Sequence, residues 1–202
     1  MQMKGLEEIR AEFFGNDPRT NRQRMLDGDT YFADDPENAR RAQRAVELAD
    51  AYYEATVKGA PDALEYLREL VGSLGRGSLI KAPLFVDYGE NLHLGNGVFV
   101  NFNLTALDVS PIHIGDSCQI GPNVQLLTPT HPLDPELRRA GLEGAKPIFL
   151  EENVWLGGGV IVCPGVTVGA NSVIGAGAVV TRDIPAGVLA VGTPARVVRS
   201  IA

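Results

Sequence analysis

Three histidines occur in the chain, His93, His113 and His131, and their settings differ. His93 and His113 each precede an aliphatic residue, Leu94 and Ile114, 20 residues apart in matching contexts. His131 stands in TPTHP, where two prolines stiffen the backbone at the start of a polar stretch. A neutral imidazole with an ordinary pKa near ~6.5 suits the removal of a proton from a group as weakly acidic as an alcohol. Nucleophilic alternatives lack their usual settings. No G-x-S-x-G turn presents a serine, and neither Cys118 nor Cys163 has a basic partner beside it. The two cysteines form no C-x-x-C pair, so they read as small buried hydrophobes rather than a zinc cluster or a disulfide framework.

The elements that must carry these residues fall into two halves. Residues 1–72 read as a helical cap on the remainder of the chain. Pro36 after Asp34 and Asp35 marks an N-terminus, and apolar residues recur at helical spacing from Ala42 through Val46, Ala49 and Tyr52 to about Val57. Pro61 opens a second helix that Gly72 ends, and a weaker helix spans Leu6 to Phe14. Within 73–202 the period changes to six. Ile80 and Val86, then Leu94, Val100 and Ala106, then Ile114, Ile120 and Leu126 keep this spacing, and Leu92 continues the first set. The count resumes at Leu150 and runs through Leu156, Val162, Val168 and Ile174 to Val180. Glycine follows the aliphatic residue at Gly95, Gly115, Gly121, Gly157, Gly169 and Gly175, as a corner with unusual φ or close backbone approach requires. Six is the period of a chain that makes a short strand, turns a corner and repeats. It predicts a three-sided parallel solenoid of about 18 residues per coil.

On that solenoid His93 and His113 should stack outward on one face. The periodic stretch breaks between Leu126 and Leu150, where residues about 129–146 are polar, charged and rich in proline. They cannot be core and are expected to project as a loop with His131 at its root. Three histidines about one coil apart also suggest metal ligation, as in a metal-dependent hydrolyase. The phase opposes this, because His131 follows Leu126, two sides away from the other pair.

Bulk composition narrows the classes. A net charge of -7 disfavours nucleic acid as a partner. No run of apolar residues approaches the ~20 needed to span a bilayer, and the opening MQMKGLEEIRAEFF carries acids where a signal peptide would be apolar, so a cytoplasmic location is expected.

Three segments carry a family resemblance: MLDGDTYFADDPE (25–37), VNFNLTALDVSPIHIGDSCQIGPNVQLLTPTHPLD (100–134) and VWLGGGVIVCPGVTVGANSVIGAGAVVTRDIPAGVLAVGTPARVVRSI (154–201). Together they make the chain similar, over residues 25–201, to the maltose and galactoside type of hexapeptide-repeat sugar O-acetyltransferases. The resemblance implies a mainly β chain, a left-handed parallel β-helix with an N-terminal helical cap. It further implies a homotrimer with sites in the clefts between subunits, and acetyl-coenzyme A as the donor of an acetyl group to a sugar hydroxyl. No metal is required. His131 would be the general base and Asn101 would bind the acceptor or orient the reacting groups. Asp108 and Asp87 would line the acceptor pocket, with Trp155 walling the thioester end. The amide of Gly158 would face the thioester oxygen. Ala176, Thr181, Arg182 and Arg196 would hold the pantetheine arm and the nucleotide phosphates, and Arg199 adds to the local positive charge.

Plainer roles stand beside these. Asn101 and Asp108 suit corners where a side chain satisfies turn amides, Trp155 suits core, and Arg182 and Arg196 suit a solvated surface. Two positions depart from the galactoside pattern: Val109 stands where a second acid follows, and Ala33, with Asp34 beside it, stands where an acceptor-facing acid is expected. The first two dozen residues are longer than in the family. A solenoid scaffold without chemistry would leave the loop and the arginines without a purpose. An amine or antibiotic acceptor is the alternative within the enzyme class, and the MLDGDTYFADDPE segment favours the sugar.

Overall fold

The computed structural model describes residues 6–15 and 17–201. Helix α1 covers Leu6–Phe14 and α2 covers Asn21–Leu26. The second was not anticipated. Its start is fixed by a capping box, in which Thr20 accepts from the Gln23 amide and the Gln23 side chain accepts from the Thr20 amide. Helix α3 runs over Pro36–Lys58, with Asp35 accepting from the amides of Glu37 and Asn38 and Gly59 closing it in the left-handed region. Its buried residues include Ala45, Tyr52 and Ala55, and the Tyr52 hydroxyl donates to the Ile80 carbonyl, which ties the helix to the first coil. Helix α4 spans Ala63–Leu70, shorter than expected at both ends. Gly72 does not end it by turning left-handed. A Cβ there would come within 2.2 Å of the Glu90 carbonyl, so glycine is needed for close approach of the next coil.

From Ser73 onward the chain is a β-solenoid of three parallel sheets. The histidine face stacks Ser73–Leu74, Leu92–Leu94, Ile112–Ile114, Ile148–Leu150 and Thr167–Val168. The tryptophan face stacks Leu79–Ile80, Phe99–Val100, Gln119–Ile120, Trp155–Leu156, Val173–Ile174 and Val188–Val191, with antiparallel Arg196–Ser200 along its last strand. The third face carries Leu84–Val86, Leu104–Leu107, Gln125–Leu127, Ile161–Val162 and Val179–Val180. Successive inward residues such as Val100, Ile120, Leu156, Ile174 and Ala190 are fully enclosed and lie over one another as the period requires.

One expectation needs correcting. The lower coils take 20 residues rather than 18, since Ser73 pairs with His93 and His93 with His113, whereas Phe149 pairs with Thr167 at a spacing of 18. Leu92 accordingly opens the next coil rather than closing the first. The corner glycines Gly121 and Gly157 serve close approach rather than unusual φ: a Cβ on either would sit 2.6 Å from an amide of the neighbouring coil. The left-handed residues lie two places later, at Asn123 and Gly159.

His113 pairs with Phe149 across a gap of 36 residues, 18 more than a plain coil, which matches the projecting segment 129–146. That segment is ordered. Pro129–Thr130 pairs antiparallel with Leu142–Ala145, helix α5 (Pro135–Arg139) forms the tip under the Asp134 cap, and Tyr31–Phe32 adds a third strand. Met25, Tyr31, Val109 and Ala145 form a small core beneath it. Val109, one of the two departures from the galactoside pattern, therefore helps seat the cap. Among the described residues no helix is long and apolar enough to cross a membrane.

Candidate active site

His131 follows Thr130 at the root of the projecting hairpin, and its side chain is 57% exposed. The antiparallel register brings Pro129 opposite Ala145 and Thr130 opposite Gly144, and just past its end His131 and Glu143 come side by side. Nδ1 of His131 lies 3.8 Å from Oε1 of Glu143. The other carboxylate oxygen, Oε2, accepts a 2.6 Å hydrogen bond from the Tyr31 hydroxyl. Tyr31 is 1% exposed, and burial together with the Glu143 charge pushes its phenol far above the ordinary range, so it remains a donor. Neither Glu143 nor Tyr31 was singled out from the sequence. Glu143 becomes visible only once segment 129–145 is read as a hairpin.

Asp87 is partly buried, and burial pushes its carboxyl up to about 6, with the negative charges of Asp108 and Glu143 acting in the same direction. Tyr88 beside it is raised to about 12, chiefly by burial. Asp108 is fully enclosed. Its Oδ1 accepts from the amides of Asp87 and Tyr88 at 3.0 and 2.9 Å, and its Oδ2 accepts from the Asn91 amide at 3.0 Å. It therefore presents no surface to an acceptor in this chain and instead holds the Asp87–Asn91 turn.

A groove on the tryptophan face gathers a second set. Asn101, Trp155, Gly158 and Ala176 line it with Phe99 and Gln119. Trp155 is 55% exposed, so it is wall rather than core. Glycines at 121 and 157 let the backbones of adjacent coils approach there. In this stack of corners the Phe102 amide is taken by Asn101 Oδ1 at 2.9 Å and Pro122 has no amide hydrogen. The amides of Gly158 and Ala176 donate to no acceptor among the described residues. Two unengaged donors therefore sit in an apolar groove, an arrangement suited to a developing oxyanion and an amide-bearing ligand.

The remaining coenzyme-side candidates divide. Thr181 and Arg182 are exposed and follow Val179–Val180 at the corner after the third face, the corner from which the hairpin leaves two coils below. Arg196 and Arg199 lie on the strand that closes the tryptophan face, with Arg196 donating to its neighbouring carbonyl, Ala195 O. One chain thus presents the histidine assembly and the groove at opposite edges of the third face. It does not bring them together.

His93 and His113 stack outward with ring centroids 4.8 Å apart, and Phe149 continues the stack at 5.2 Å. His131 lies on the hairpin, away from that face. Among the described residues no group of three or more histidine, cysteine or acidic side chains is placed to hold a metal ion.

Comparison with known proteins adds to this geometry. Residues 147–182 match the family model described as bacterial transferase hexapeptide (six repeats), and residues 24–75 match the maltose acetyltransferase hexapeptide capping motif. A galactoside O-acetyltransferase of Lactococcus lactis subsp. lactis is 41% identical over 180 residues, covering 89% of this chain and 87% of that protein. The crystal structure of a maltose O-acetyltransferase from Clostridium difficile 630 superposes with a TM-score of 0.89 at 39% identity, over 92% of this chain and 100% of the other. A hexapeptide-repeat acetyltransferase from Vibrio cholerae, complexed with acetyl coenzyme A, gives a TM-score of 0.84 at 35% identity, over 91% and 100%.

Proposed function

The chain belongs to the hexapeptide-repeat acetyltransferases with a maltose acetyltransferase-type cap, and from that premise we propose that it acetylates a hydroxyl of a sugar, with His131 as general base. It is an acyltransferase whose co-substrate is acetyl-coenzyme A. The sugar is favoured by the capping motif and by relatives named for galactoside and maltose. The observation that carries the reading is the ordered hairpin that sets His131 beside Glu143 just past its paired residues.

The chemistry follows from these groups. Glu143 faces the Nδ1 side of the imidazole at 3.8 Å, which leaves Nε2 open to accept a proton. The acceptor hydroxyl gives that proton to Nε2 as its oxygen attacks the thioester carbonyl. Negative charge collects on the former carbonyl oxygen, where the Gly158 amide is available, and such a donor is worth ~3 kcal/mol in comparable sites. Collapse of the adduct breaks the carbon–sulfur bond, and the imidazolium returns its proton to the departing thiolate. No covalent intermediate with the protein is needed.

Since groove and histidine lie at opposite edges of one face, each site combines His131 of one subunit with the groove of its neighbour in a homotrimer. Asn101 and Trp155 would bound the reacting groups, Asp87 would meet the acceptor, and Asp108 would act through Asp87. Ala176 and Arg196 would hold the coenzyme from the groove side, with Thr181 and Arg182 from the hairpin side.

The test is thiol release from acetyl-coenzyme A across a panel of sugars and aminoglycosides. His131→Ala is expected to lower turnover by ~100-fold or more while coenzyme affinity persists. Undiminished turnover in that variant would remove the base assignment, and a preference for aminoglycosides would remove the sugar.

A further inference from the structure

We propose that Tyr31 is a positioning residue for the reaction: its hydroxyl fixes one oxygen of Glu143 so that the other orients the His131 ring, which makes the N-terminal cap part of the catalytic apparatus. The inference rests on the general-base reading of His131. Tyr31 does not come from the solenoid. It lies in the short strand Tyr31–Phe32, which joins the hairpin as a third strand with Tyr31 directly opposite Glu143. The hairpin's register ends with Thr130 opposite Gly144, and the next residue, His131, comes to Glu143 from the other side. Tyr31 and Glu143 are thus paired across the sheet, and His131, one residue past the end of the strand Pro129–Thr130, faces Glu143 from the other side. Both oxygens of the carboxylate are used, Oε2 by Tyr31 at 2.6 Å and Oε1 facing Nδ1 of His131 at 3.8 Å.

Packing makes this arrangement rigid at one end and free at the other. Tyr31 is enclosed with Met25, Val109 and Ala145, so its hydroxyl is shielded from water and Glu143 is the acceptor it has. His131 is exposed, as a group that must meet an incoming hydroxyl has to be. A carboxylate held by a buried phenol keeps one orientation, and its second oxygen, 3.8 Å from Nδ1, electrostatically favours the imidazole with its proton on that nitrogen. Simple burial of an aromatic ring at this place would need no hydroxyl, because the phenylalanine ring has the same shape.

The test compares Tyr31→Phe, Glu143→Gln, the double variant and His131→Ala. Tyr31→Phe is expected to lower kcat on the order of tenfold, with KM for acetyl-coenzyme A unchanged, as outer partners of reactive groups do elsewhere. In the Glu143→Gln background the same substitution should have no further effect, since its route to the ring is already broken. Equal losses in the two backgrounds, or an unchanged kcat in Tyr31→Phe, overturns the inference. A purely structural role would lower the melting temperature and add to the Glu143→Gln loss. Should Tyr31→Phe not fold, fluorotyrosine at position 31 keeps the ring and changes only the strength of the hydroxyl donor. A changed kcat there supports the arrangement, and an unchanged one sinks it. His131→Ala separates the two readings. Full turnover in that variant takes both down, whereas its loss beside a silent Tyr31→Phe removes the positioning role alone.

Discussion

The two aspartates 21 residues apart, Asp87 and Asp108, show how one residue type divides into two tasks by environment. Asp108 is enclosed and accepts three backbone amides, so removing its carboxylate strands one buried and two partly buried donors. Each stranded group costs about 1–3 kcal/mol, and Asp108→Ala is expected to lose roughly 3 kcal/mol or more in chemical denaturation. A loss under 1 kcal/mol would mean that water reaches the turn. Asp87 behaves in the opposite sense. Its folded pKa of about 6 lies above the ordinary ~3.9, so between those values the folded chain keeps a proton that the unfolded chain has released. The stability this group contributes is therefore present below about pH 4 and lost as pH rises to about 6. Asp87→Asn is expected to melt higher than the parent at pH 7, with the difference vanishing toward pH 4. Melting curves across that range check it, and a difference independent of pH contradicts it.

At the scale of elements, periodicity exposed what repeats and missed what occurs once. Six-residue spacing located the solenoid and its inward columns, because a stack of identical corners writes the same residue type at every turn. Asp35–Pro36 and Gly59 marked both ends of α3 through cap chemistry that is local in sequence. The sequence reads the hairpin as an interruption of 18 residues but not as a sheet, since its strands are short and one of them pairs with Tyr31–Phe32 from more than 100 residues away. Glu143 and Tyr31 stayed hidden for that reason. The roles of Asn101 and Asp108 as acceptors of corner amides were foreseen as the plainer alternative, and both accept such bonds. The hairpin's modular length makes a prediction. Excising residues 129–146 leaves a plain 18-residue coil, so the solenoid should fold and bind coenzyme A while turnover falls to background. A chain that fails to fold would show that the hairpin holds the stack together; circular dichroism and calorimetric titration read the two outcomes.

At the scale of the whole molecule, the proposed trimer would make the site a shared property of neighbouring chains, with His131 from one and the groove from the next. If so, His131→Ala chains and Gly158→Val chains, each inactive alone, should complement when co-expressed. Random pairing of subunits leaves about a quarter of the interfaces with both contributions intact. Absence of any recovered activity would place both halves of a site on one chain. The solenoid also has an end to guard. Arg196–Ser200 runs antiparallel along Val188–Val191 and brings two arginines to the last exposed strand. Every other strand on that face is parallel to its neighbour, so this reversed segment meets an incoming coil in the wrong sense and with charge. The stack is thereby blocked from growing into a filament of many molecules joined end on end, which is the standing hazard of any structure that binds its own next copy by the same amide ladder.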